Sequence, residues 1–107
     1  MISGTDVVIK IKQDPWAVNR VISLFMLRHP DAVLEEAMEH SPKTEREVFL
    51  YVDREAKETW DEHGLTKRAG NRMIHVLAGK GRLTIVVNDV KKWRNFLQDV
   101  KKVAARK

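Results

Sequence analysis

Lysine and arginine are sorted along this chain, and the chemistry they offer is recognition of anions. Residues 64–107 carry twelve Lys/Arg against two acids, Asp89 and Asp99, a net of +10. Residues 29–63 carry eleven acids against four bases, a net of −7, and residues 1–28 add +2. The total of +5 therefore conceals a strong division of charge. Such a division speaks about partners and solubility rather than fold. In the basic half, Lys67, Arg68 and Arg72 fall in one aperiodic segment, Lys80 and Arg82 flank a glycine-containing turn, and Lys91, Lys92 and Arg94 open the last helical segment. If the turn and that helix share an edge, these side chains form one surface that can hold a phosphate backbone by releasing its counterions. The competing account is that each merely solvates its own patch of surface. The acidic middle has three uses open to it: internal balance beside the basic segment, head-to-tail docking on a second copy, or a second partner.

Catalytic constellations are thin. Pro30-Asp31 and Glu55-Ala56-Lys57 share the residue types of the PD…(D/E)xK arrangement of metal-dependent nucleases, which needs its acids and lysine on adjoining strand ends to hold a cation and activate water. Here Pro30-Asp31 falls between two helical segments, and the match is short enough to arise by chance. His29, His40, His63 and His75 form no HxH or HxxxH pair. Ser3, Ser23 and Ser41 lack a nucleophile-elbow context, and Gly79-Lys80-Gly81 has too few glycines and no following Ser/Thr for a phosphate-binding loop. With no cysteine, disulfides, thiol nucleophiles and thiolate-held metals are excluded. A non-enzyme without cofactor or metal is the expectation.

Single-stranded nucleic acid is usually held by stacking as well as charge. Trp16, Phe25, Trp93 and Phe96 lie at apolar helical positions, so core packing accounts for them best, while Tyr51 and Trp60 are open. No RNP-like strand signature is present. A helix-turn-helix is disfavoured because the 15–39 helical pair is joined at Pro30 and its second member is acidic.

The elements that must position these groups follow from periodicity. Val7, Val8, Ile9 and Ile11 read as a first strand. Asp14 and Pro15 open a helix from about 15 to 28, with Trp16, Val18, Val21, Ile22, Phe25 and Met26 at helical spacing. Pro30 ends it, and a short second helix follows with Val33, Leu34, Ala37 and Met38 on one face. Val48–Val52 is a continuous apolar run of strand length. Asp53 caps a helix to His63 that stops at Gly64. Met73–Ala78 and Arg82–Asn88 form a hairpin around Gly79-Lys80-Gly81. Asn88 or Asp89 then caps the last helix, whose apolar stripe is Val90, Trp93, Phe96, Leu97, Val100, Val103 and Ala104.

The expected fold is a single α+β domain over residues 1–107, a two-layer sandwich of about four strands with helices on one face, in the order β-α-α-β-α-β-β-α. At 43% hydrophobic and 33% charged residues the chain suits a folded soluble protein. No apolar run is long enough for a membrane span or a leader peptide, so a cytoplasmic location and no membrane partner are expected. The last helix is basic and amphipathic, but its apolar stripe is the natural cover for the sheet, which outweighs a bilayer role. The function expected is a non-enzymatic binding protein offering Lys67, Arg68, Arg72, Lys80, Arg82, Lys91, Lys92 and Arg94 to nucleic acid or another polyanion. The alternative is a protein–protein interaction module, such as a bacterial or phage-type regulator, inhibitor or immunity-like protein, with a protein partner or self-association.

Overall fold

The computed structural model describes residues 5–10, 16–37, 44–64 and 71–104. In chain order its elements are β1 (Thr5–Lys10), α1 (Ala17–Arg28), β2 (Val33–Glu36), β3 (Arg46–Tyr51), α2 (Arg54–His63), β4 (Met73–Gly79), β5 (Arg82–Val87) and α3 (Arg94–Ala104). The strands form one antiparallel sheet in the order β1-β5-β4-β3-β2. The α+β class is as expected, with α1 and α3 forming the helical layer over one face.

Strand alternation decides which side chains meet that layer. Val48 and Leu50 of β3, Ile74 and Val76 of β4, and Leu83, Ile85 and Val87 of β5 are fully buried beneath α1 and α3. The helices contribute Val18, Val21 and Phe25 from one side and Trp93, Phe96, Leu97 and Val100 from the other. Phe25 is the keystone: its ring stacks on Trp93 at 5.9 Å and meets Phe96 edge-on at 5.7 Å. Side chains of the opposite parity, Phe49, Tyr51 and Met73, pack with Ala56 and Trp60 of α2 in a smaller cluster.

Several local signals are realised in detail. The Asp53 side chain accepts from the Ala56 N–H at 2.8 Å, and Gly64 closes α2 at φ 65°. Lys80 and Gly81 both have positive φ, 54° and 70°, as a tight twisted hairpin turn requires. Asp89 accepts from the Lys91 and Lys92 N–H groups ahead of α3.

Two expectations need correction. The segment beginning at Val33 is a strand, not a second helix, so the order is β-α-β-β-α-β-β-α and the sheet has five strands. Its four residues pair with Val48–Tyr51, and both glutamates gain cationic partners there: Glu35 meets Lys57 at 2.8 Å, and Glu36 meets Arg46 at 2.5 Å. Tertiary pairing outweighs the helical preference of so short a stretch. Trp16, assigned to the core, is 65% exposed just before α1, on the side that carries Asn19, Ser23 and Leu27 rather than the buried Val18, Val21 and Phe25. Asp14, Pro15 and Met38 lie outside the described residues. No helix among the described residues is long and apolar enough to cross a membrane.

Candidate functional site

The exits of α1, β3 and β5 and the entry to β4 lie at one end of the sheet, and several ligand-capable side chains collect there. His29 follows α1, Val52 follows β3, Asn71 and Arg72 precede β4, and Lys92 lies between β5 and α3. Together they line a cleft of about 580 Å³. Its apolar wall is Val52, Trp93 and Phe96, and its polar groups include Arg28, Arg72, Lys92 and Asn95. Asn88 donates to Asn71 at 3.2 Å, tying two of the contributing connections together.

Ion pairing changes what this cleft can do. Arg72 places Nη2 2.6 Å from Asp53 Oδ2 and Nη1 3.3 Å from Glu55 Oε1, so its guanidinium clamps the segment before β4 to the start of α2. Arg28 bonds to Asp99, joining the end of α1 to α3. Lys92 is exposed and makes no ion pair among the described residues. The cleft is therefore close to charge-balanced apart from Lys92. His29 packs against Phe25 at 4.8 Å and Trp93 at 6.0 Å. Burial first, then the positive charges of Arg28 and Lys92, holds its imidazole below the usual value, which keeps it neutral at pH 7.

The expected basic residues divide into groups. Arg72 and Lys92 line the cleft, with Lys91 and Arg94 exposed beside it at the entry to α3. Lys80 and Arg82 sit at the hairpin turn, at the other end of β5. Six strand residues at about 3.3 Å each separate the two groups by about 20 Å. Lys67 and Arg68 lie outside the described residues, shortly before Asn71. The helical layer partly spans the gap. The end of α1 meets the start of α3 through His29 and Trp93, while Trp16 and Val103 share a second groove, so the two helices run antiparallel. Lys101 and Lys102 thus extend the basic outer face of α3 back toward the hairpin end, both exposed.

Acids in the middle of the chain are largely satisfied locally. Lys57 bridges Glu35 at 2.8 Å and Asp61 at 2.9 Å, and these bonds raise its pKa well above the usual lysine value. Lys57 also lies over the ring of Tyr51, whose fully buried hydroxyl is pushed up by burial and then by Glu35. His75 stacks flat on Phe49 at 4.3 Å and sits 3.0 Å from Glu47, without hydrogen-bond alignment. The nuclease-type trio does not assemble as that chemistry needs: Asp31 is in the turn before β2, Glu55 faces Arg72, and Lys57 is held by Glu35 and Asp61. Among the described residues no three His, Asp or Glu side chains group as a metal site.

Sequence reasoning missed Arg28, His29, Asn71 and Asn95 as cleft residues. Arg28, His29 and Asn71 flank or end an element, where periodicity carries no signal, and Asn95 lies in the first turn of α3; the Pro30 stop and the Asn88 or Asp89 cap marked two of these corners. No family model, characterised protein or solved structure matches this chain.

Proposed function

We propose that this is a small non-enzymatic, cytoplasmic protein that binds nucleic acid, or a polyanion of like charge density, along the outer face of α3. One observation carries the reading. Lys80, Arg82, Lys91, Lys92, Arg94, Lys101 and Lys102 are all exposed and free of ion pairs among the described residues, whereas both acids of residues 64–107 are engaged elsewhere. Asp99 is turned to Arg28, and Asp89 is turned to backbone N–H groups. The positive charge of this half is thus left to solvent and to a partner. Lys67 and Arg68 belong to the same basic half and join the proposed interface, with Arg72 acting mainly as its clamp.

The test is binding of labelled duplex DNA, single-stranded DNA and RNA across about 50–300 mM salt. Micromolar or tighter binding that weakens steeply as salt rises is expected. No binding at the lowest salt overturns the proposal.

A second reading, a protein–protein interaction module, is favoured by a separate observation. Leu27 is 79% and Trp16 65% exposed, and both border an apolar groove of about 510 Å³ with Leu24 and Val103. Exposed apolar surface of this kind is common at interfaces. It calls for a stoichiometric protein complex or self-association, read by light scattering on the eluting species.

A further inference from the structure

We infer that the cleft at the end of the sheet receives one nucleotide unit, free or at the end of a single strand, as a base with a single phosphate. This rests on the polyanion reading for the strand case, and names what its specific site would hold. The volume of about 580 Å³ lies within the range of small-molecule sites, and the lining has their usual make-up, an apolar wall with a few convergent polar groups. Val52, Trp93 and Phe96 offer that wall to a flat base. Asn71 and Asn95 each carry donor and acceptor atoms suited to a base edge. Lys92 is the cation left for the phosphate.

Charge decides how much phosphate the site takes. Arg72 is already matched by Asp53 and Glu55, and Arg28 by Asp99. A triphosphate would bring its extra charges against those carboxylates, whereas a single phosphate meets Lys92 and the spare N–H groups of the two guanidiniums. A bare phosphate leaves the apolar wall unused.

The experiment is a two-dimensional NMR titration of the full chain with AMP, UMP, ATP and inorganic phosphate, beside a single-stranded oligonucleotide. The expected result is saturable binding of the monophosphates with shifts at Asn71, Lys92 and Asn95, at least about tenfold tighter than phosphate and no weaker than ATP. Lys92→Ala and Asn95→Ala, both at exposed positions, each weaken the monophosphate about tenfold. Equal affinity for phosphate, preference for ATP, or indifference to both variants overturns the inference. Oligonucleotide binding without monophosphate binding removes the cleft inference alone. Monophosphate binding without oligonucleotide binding removes the strand case and leaves a free-nucleotide site, while the salt series with duplex DNA, single-stranded DNA and RNA decides the polyanion reading separately.

Discussion

Lys91, Arg94 and Lys101 stand at helical spacing along the exposed side of α3 and its lead-in, so replacing all three by glutamine should strip the proposed interface without touching the core. The five cations of that face are Lys91, Lys92, Arg94, Lys101 and Lys102. If each meets one phosphate of duplex DNA, the logarithm of the binding constant falls with the logarithm of salt at a slope of about −4.5. Between about 50 and 200 mM salt, affinity should then drop about 500-fold. The triple variant retains two contacts, a slope of about −1.8, and a drop of only about 12-fold over the same range. Single-stranded partners give proportionally shallower slopes, about −3.5 falling to −1.4. Because the three side chains are exposed and make no ion pair among the described residues, the free energy of unfolding in urea should stay within about 0.5 kcal/mol of the parent. Fluorescence anisotropy with a labelled oligonucleotide at five salt concentrations reads the slope directly. A variant that binds with the parent's slope would refute α3 as the contact face, and a parent slope near zero would refute phosphate contact altogether.

Other perturbations probe the frame that holds the site. Phe25→Ala should cost about 3–5 kcal/mol in urea unfolding, because the ring contacts Trp93, Phe96 and His29 at full burial; a loss below about 1 kcal/mol would contradict the packing described. Asp53→Asn keeps a capping oxygen for the Ala56 N–H, so it should be milder than Asp53→Ala by about 1 kcal/mol, while both lose the charged partner of Arg72. His29 gives a pH signature of definite sign. Its folded pKa lies below 6.5, so as pH falls through that value the unfolded chain takes up the proton first and stability declines. His29→Gln should flatten the stability profile below about pH 6.5; an unchanged profile would assign the decline to other groups.

Elements whose own side chains specify them were legible in the sequence. The last helix declared itself by its apolar stripe, α2 by Asp53 and Gly64, and the hairpin by Gly79-Lys80-Gly81. Each of these signals is local, a cap, a stop or a period, and each is satisfied within a few residues. Val33–Glu36 was misread because what makes it a strand is β3, Arg46 and Lys57, all distant in sequence. Trp16 was misread for a different reason: it stands one turn before Asn19 and Arg20, in phase with Ser23 and Leu27 and out of phase with Val18, Val21 and Phe25. The basic half was visible as composition. Its partition was not, since the length of β5 separates Lys80 and Arg82 from Lys91, Lys92 and Arg94, while ion pairs withdraw Arg72. The cleft was invisible because it is made where the ends of four elements distant in sequence converge.

The position of β1 carries a consequence for how the protein is made. Thr5 lies opposite Val87 and Lys10 opposite Arg82, so among the described residues the earliest strand has its only partner in the latest. β2, β3, β4 and β5 can pair in the order in which they emerge, each beside its predecessor. β1 must wait until residues 11–81 have been made, and α1 likewise waits for α3 to complete its cover. Closure of this kind is entropically expensive and comparatively slow. A nascent chain released before β5 would leave its first strand edge exposed, with an open hydrogen-bonding ladder available to other chains.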